Sequence, residues 1–259
     1  MAKTLMRRPK NKKKDGSWSE IRERMRIDWD VPITMDDGLV LRANVYRPTK
    51  KGKYPVLISH GTYGKDLAFQ DGYPSAWELF SNDHPEAIAG STNIHQNWEV
   101  VDPEHWVPDN YICIRVDSRG SGRSPGHIFH LSPRETLDFK DCIEWAGEQS
   151  WSNGKVGLAG ISYYAINQWQ EAALRPKHLA AMCVWEGFSD FYREMSHHGG
   201  IHTTFIANWY NLQIKTVQHG VGKRGHKSRV TGELVAGPST LSDEELKKNR
   251  TNLGQDYKS

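Results

Sequence analysis

No run in this chain approaches the length of a membrane-spanning helix. Cysteine is scarce: Cys113, Cys142 and Cys183 are odd in number and widely spaced. Two of them lie in apolar runs, so they read as buried thiols rather than a disulfide framework or a zinc site. Net charge is only +3, and six cations, Arg7, Arg8, Lys10, Lys12, Lys13 and Lys14, fall at the start. The remainder is close to neutral, so nucleic acid is not an expected partner. The basic run reads as a solvated terminus, with contact to nucleic acid or an anionic surface as the alternative. It lacks the apolar core that follows the charged start of a signal peptide. A reducing, cytoplasmic setting is expected, and no internal repeat is present.

What is present has a globular profile, 37% apolar, 25% charged and 10% aromatic. The length, 259 residues, suits one large α/β domain or one domain with the start of another. Mean hydropathy is low at −0.70, so part of the chain is expected to be tail or extended surface.

Residues 1–25 read as a basic, loosely packed arm. Residues 27–34 and 39–46 alternate apolar and polar around Asp36-Asp37-Gly38, which predicts a β-hairpin. Four short apolar runs follow, at 54–61, 111–117, 155–160 and 179–185, each expected to be a strand buried on both faces. Short helices are expected near 75–80 and 103–106 in the irregular stretch from 65 to 109. Between the second and third runs, Pro133 to Gly147 carries apolar residues at helical spacing behind Ser132 as N-cap and Glu135 at N3. Another helix is expected from Tyr163 to Leu174. The order alternates strand and helix, giving an α/β fold with a mostly parallel, doubly wound sheet over residues 26–187. Beyond Gly187, 188–198 and 203–218 read as amphipathic helices, and 242–249 as a short polar one. No further buried strand is legible, so the sheet looks incomplete and 188–259 reads as the start of a helical cap.

The chemistry concentrates at Gly160-Ile161-Ser162-Tyr163-Tyr164-Ala165. A buried strand that runs into a serine and then directly into a helix forces that serine onto a sharp turn at the helix N-terminus. Its hydroxyl is exposed there, with backbone N–H groups facing any developing negative charge. A helix-capping serine is the structural alternative.

Several ordered blocks surround this turn. They are Asp36, Gly38 and Leu41; Tyr63-Gly64-Lys65; Asp117-Ser118-Arg119-Gly120-Ser121-Gly122; Asp138 to Trp145; Gly160 to Tyr163; and Gln168 to Pro176. In these blocks the chain resembles the N-terminal part of the α/β-hydrolases grouped as the CocE/NonD or S15 peptidase family, with cocaine esterase, glutaryl acylase and Xaa-Pro dipeptidyl-peptidase. The resemblance implies that Ser162 is the nucleophile and that the Tyr163 backbone N–H and the Tyr63 hydroxyl form the oxyanion hole. It also implies that the Asp117–Gly120 loop and His60 are structural, and that the triad acid and histidine lie after a cap inserted near Gly187. Ala165 departs from the family pattern, which has Gly there.

A serine hydroxyl needs an oriented histidine with a carboxylate behind it. After Ser162 the candidates are Asp190, Asp243 and Asp256 with His178, His197, His198, His202, His219 and His226. An internal triad of Asp190 with His219 or His226 is one reading. The other is a truncated chain that ends inside the cap before either partner. The expected activity is hydrolysis of an ester or amide bond in a small acyl or peptide substrate, with Trp209 shaping an apolar acyl pocket. For an N-terminal amine, Glu186 or Asp190 would supply charge. No metal or organic cofactor is expected, and a homo-oligomer could form through the unfinished edge. The rival reading is a non-catalytic α/β-hydrolase-like binding or assembly module.

Overall fold

The computed structural model describes residues 12–214 and 225–236. Alternating apolar and polar positions build an antiparallel meander of β1 (Trp18–Arg22), β2 (Met25–Thr34) and β3 (Val40–Pro48). The turn between β2 and β3 closes through Met35 N–H to Leu39 C=O at 2.8 Å. A bulge interrupts the β2–β3 register between Asp28 and Val31, where Asp30 takes φ 50°. Chain from Trp18 onward therefore belongs to the sheet, which corrects the arm expected to reach residue 25. Trp18 is buried and stacks on Trp29 with ring centroids 5.5 Å apart. The charges at Glu20 and Arg22 hide this short strand, although both point the same way as Trp18. Residues 1–11 lie outside the described ones.

The uninterrupted apolar runs become parallel strands, β4 (Tyr54–Gly61), β5 (Ile112–Asp117), β6 (Ser152–Ile161) and β7 (Leu179–Trp185). The seven-stranded order is β1-β2-β3-β5-β4-β6-β7, with β3 joining the parallel half antiparallel to β5. Four short helices fill the stretch between β4 and β5: α1 (Phe69–Gly72), α2 (Pro74–Asp83), α3 (Pro85–Ile88) and α4 (Pro103–Trp106).

Helix α5 (Pro133–Glu148) starts at Ser132, whose Oγ accepts the Glu135 N–H at 3.2 Å. It turns Phe139, Cys142, Ile143 and Ala146, spaced for one face, onto Ile58, Ile114, Val156 and Leu158 of the sheet. Each of the larger ones, such as Phe139 and Ile143, contributes roughly 1.5–3 kcal/mol by leaving water. On the opposite face Trp18, Ile27, Trp29, Tyr46 and Cys113 form a second cluster. Helix α6 (Tyr163–Ala173) follows β6 without a linker beyond Ser162.

β7 differs from expectation. Its apolar run predicted a strand buried on both faces, yet Ala180, Ala181, Cys183 and Trp185 are exposed, Trp185 by 63%. Among the described residues β7 pairs only with β6, so the run forms an edge. Cys183 is correspondingly an exposed thiol, whereas Cys113 and Cys142 are buried.

The two amphipathic helices expected after Gly187 are broken. A π-helical turn (Tyr192–Ser196) leads into a small hairpin of β8 (His197–His198) and β9 (Ile201–His202), then α7 (Phe205–Trp209) and a second π-helical turn (Tyr210–Ile214). Gly199 and Gly200, at φ 60° and 84°, make the hairpin turn and end the helical pattern. Residues 215–218 and the helix expected at 242–249 lie outside the described residues. No helix among the described residues is long and apolar enough to cross a membrane.

Candidate active site

Ser162 sits between the last residue of β6 and the first of α6 with φ 54° and ψ −116°. An L-residue held there carries strain of roughly 1–3 kcal/mol, so the surroundings must over-determine it. They do: Ser162 N–H donates to Trp185 C=O at 3.0 Å, and Ile161 N–H to Glu99 C=O at 3.0 Å. The Ser162 carbonyl accepts from both Ala165 and Ile166 N–H at 2.8 Å. Gly160 is required because a Cβ there would lie 2.2 Å from Tyr164 Cβ. Tyr163 opens the helix, where its N–H has no acceptor within the helix and can face the serine.

One pocket gathers the four residues singled out in the sequence. Ser162, Tyr63, Tyr163 and Trp209 line it with apolar groups that include Leu131, Phe188 and Phe205. Its volume is about 20 Å³, room for about one water. Tyr63 is buried and its ring packs edge-on against Tyr164 at 5.5 Å. Its hydroxyl oxygen accepts the Trp209 indole N–H at 3.0 Å. Accepting there leaves the phenolic proton free to be donated elsewhere. Burial pushes the Tyr63 pKa well above its ordinary value, so the hydroxyl keeps that proton.

A model of the X-Pro dipeptidyl-peptidase (S15) family matches residues 37–253. The chain belongs to the S15 peptidase family. Cocaine esterase from Rhodococcus sp. (strain MB1 Bresler) is 30% identical over 165 residues, 63% of this chain and 24% of that protein. A CocE/NonD family hydrolase from Staphylococcus aureus is 41% identical with a TM-score of 0.64, over 73% of this chain and 33% of that one. An α-amino acid ester hydrolase shares the fold at 17% identity and a TM-score of 0.52, over 81% of this chain and 34% of that one. This chain thus matches about a quarter to a third of the length of these relatives.

The methyl of Ala165 has a local accommodation. Ala165 is fully buried, and the position facing its methyl is Gly187, where a Cβ would come within 3.0 Å of Ala165 Cβ. The methyl at 165 packs where residue 187 carries none.

Two glutamates brace the turn at Ser162, one by its side chain and one by its backbone. Glu135, at N3 of α5, accepts the Tyr163 hydroxyl and the Leu131 N–H, each at 2.5 Å. Burial raises its pKa to about 7, against the lowering effect of these bonds. Glu99 holds Ile161 through its carbonyl, and burial, with Glu186 adding to it, raises its carboxyl to about 8. Glu135 is legible in the sequence only as the N3 residue behind Ser132; its bond to Tyr163 and the bond of Glu99 to Ile161 span tens of positions and match no motif.

Asp117 and Arg119 are structural in their contacts. Asp117 accepts Lys65 N–H at 2.6 Å and Arg123 N–H at 2.9 Å, tying the loops after β4 and β5 together. Arg119 makes a two-bond contact with Asp138 at 2.8 and 2.9 Å. His60 is wholly buried and stacks on Phe139 at 4.9 Å, and burial lowers its pKa to about 4. Its carbonyl accepts Asn167 Nδ2 at 2.7 Å, anchoring α6.

Among the described residues no histidine or carboxylate is hydrogen-bonded to Ser162 Oγ. Asp190 is engaged by Arg193 at 2.6 Å on the surface. His178 bonds the Gly154 carbonyl at 3.0 Å, at the opposite end of β6 from the serine. His197 stacks on Tyr192 at 4.3 Å and faces His202 at 5.0 Å, inside the hairpin. His226 lends its carbonyl to Val235 N–H. His219, Asp243 and Asp256 lie outside the described residues. A basic groove of about 490 Å³ at Lys50, Lys51 and Lys53 lies beside the start of β4, at the other end of the sheet from the elbow.

Proposed function

We propose that this chain supplies the nucleophile half of a serine hydrolase that cleaves an ester or amide bond in a small acyl or peptide substrate. Ser162 Oγ attacks the acyl carbon and gives its proton to a base, while the carbonyl oxygen becomes an oxyanion held by the Tyr163 N–H and the Tyr63 hydroxyl. Collapse expels the alcohol or amine, which takes the proton back from that base, and leaves an acyl-Ser162 ester, which water hydrolyses. The observation that carries this reading is the strained φ of Ser162 at the start of α6, in a pocket shared with Tyr63, Tyr163 and Trp209. Strain of this kind clusters at functional sites. A preorganised donor such as Tyr63 contributes about 10²–10³ in rate.

The apolar lining favours an apolar acyl group, with Trp209 and Phe205 against it. At about 20 Å³ the pocket is too small for one, so entry requires the segment carrying Phe188 and Phe205 to move outward. The base and its carboxylate are supplied by groups other than the described residues. Three free thiols fit a reducing, cytoplasmic setting. The exposed β7 edge, with Trp185, supports self-association; a monomer at all concentrations in sedimentation would remove that element.

A fluorophosphonate probe tests the reading. Covalent labelling is expected on Ser162 and absent in Ser162→Ala. Absence of labelling in a folded protein that also carries the base and its carboxylate, or equal labelling of the variant, would refute it.

A further inference from the structure

The loop that carries Tyr63 is held by an ionic cluster. Two residues beyond Tyr63, the ammonium of Lys65 is buried and contacts Asp30 Oδ1 and Asp66 Oδ2, both at 2.7 Å. The same residue is gripped through its backbone. Its N–H donates to Asp117 Oδ1 at 2.6 Å, and its carbonyl accepts Asn97 Nδ2 at 2.6 Å. The carboxylates are fixed in turn. Asp30 receives Arg123 Nε at 3.0 Å and Asp66 receives Asn44 Nδ2 at 2.7 Å. Between Tyr63 and this anchor, Gly64 adopts φ +89°, and a Cβ on it would lie 2.8 Å from Val235 Cγ1. The segment around Val235 is pinned in place by Arg123, which bonds the Leu234 carbonyl at 3.2 Å.

Removing a lysine and several carboxylates from water costs several kcal/mol per ion unless every charge is paired. A packed apolar contact would stabilise the loop as well or better, so stability alone does not account for the cluster. What ions at fixed distances supply is registry: the cluster permits one position of the loop between β4 and α1, and Tyr63 is in that loop.

We propose that Lys65 is a positioning residue for Tyr63. Its ammonium, clasped by Asp30 and Asp66, sets the Tyr63–Gly64 peptide so that the phenol meets the Trp209 indole and faces the serine. Asp30, on the bulge of β2, and Asp117, at the end of β5, carry the position of the sheet into the oxyanion loop. This rests on the proposed role of Tyr63 as an oxyanion donor.

The test separates the two. In protein labelled with ¹⁵N-tryptophan, the Trp209 indole N–H signal, assigned with Trp209→Phe, reports directly on the Tyr63 hydroxyl. Tyr63→Phe defines the shift caused by losing that acceptor. Lys65→Met is expected to move the signal the same way, whereas Arg47→Met, which breaks an ion pair with Asp28 on the outer strands, leaves it in place. Asp30→Asn keeps the side-chain shape and carries the same test if Lys65→Met does not fold. Fluorophosphonate labelling is expected to slow at least tenfold in Lys65→Met. The double variant with Tyr63→Phe should be no slower than Tyr63→Phe alone. A folded Lys65→Met or Asp30→Asn protein with an unmoved Trp209 signal overturns the proposal. Tyr63→Phe that labels at the wild-type rate refutes the oxyanion role instead, while the Trp209 signal still decides whether Lys65 positions Tyr63.

Discussion

The phenol of Tyr163 donates a 2.5 Å hydrogen bond to Glu135 Oε2, joining the first residue of helix α6 to the first turn of helix α5. The residue that follows Ser162 is thereby held from its side chain at the start of α6. Removing the Tyr163 hydroxyl leaves the buried Glu135 carboxyl with the Leu131 N–H alone, which costs about 1 kcal/mol. Tyr163→Phe should lower the unfolding free energy by that amount in urea titrations, and slow fluorophosphonate labelling because the elbow loses a brace.

The same pair predicts a pH dependence. Burial raises Glu135 from 4.5 to about 7, so the native state keeps a proton that the unfolded chain releases. This contribution to stability is complete below about pH 4.5, declines as pH rises toward 7, and is constant above that. The expected loss is on the order of 3 kcal/mol. Glu135→Gln should flatten the corresponding slope of stability against pH; an unchanged slope would show that Glu135 is ionised in the native state.

Backbone strain at the serine makes a further prediction. Glycine tolerates φ 54° where alanine does not. Ser162→Gly should therefore be more stable than Ser162→Ala by about 1 kcal/mol, seen as a melting temperature higher by about 2–4 °C, with both variants unlabelled. Equal melting temperatures would mean that the elbow carries no strain.

Packing at the elbow is asymmetric. Gly160→Ala would force a methyl to 2.2 Å from Tyr164 Cβ and should destabilise by about 1–3 kcal/mol or more. Ala165→Gly only removes a methyl that Gly187 makes room for, and should cost about 1 kcal/mol from helix propensity. Thermal unfolding of the two variants side by side checks the order.

Asp138 is wholly buried and holds Arg119 at 2.8 Å and Arg134 at 2.7 Å. Asp138→Ala leaves Arg119 without its main partner next to the core. Because Arg119 is half-buried and keeps Asp37 at 2.8 Å, a loss of about 1–3 kcal/mol is expected, read from the midpoint of a urea transition. A change below about 1 kcal/mol would show that Arg119 reaches solvent on its own.

Local pattern was enough to determine most of the elements and the turn at Ser162. β2 to β6, α5 and α6 follow from alternation, apolar runs and a capping serine, all of which act within a few residues. The same locality made Gly160-Ile161-Ser162 readable, since a strand that meets a helix at a serine leaves it one conformation. Only the tertiary structure decided the rest. Trp18–Arg22 is a strand because Trp29 stacks on Trp18 across the sheet, and Leu179–Trp185 is an exposed edge because neighbours, not composition, set burial. The helices expected after Gly187 gave way to a hairpin at Gly199 and Gly200. Glu135 beneath Tyr163, Glu99 beside Ile161 and Asp30 on Lys65 join residues separated by tens of positions. Their charge and hydrogen-bond energies depend on distance in space and on exclusion of water, and neither quantity is written in a one-dimensional pattern.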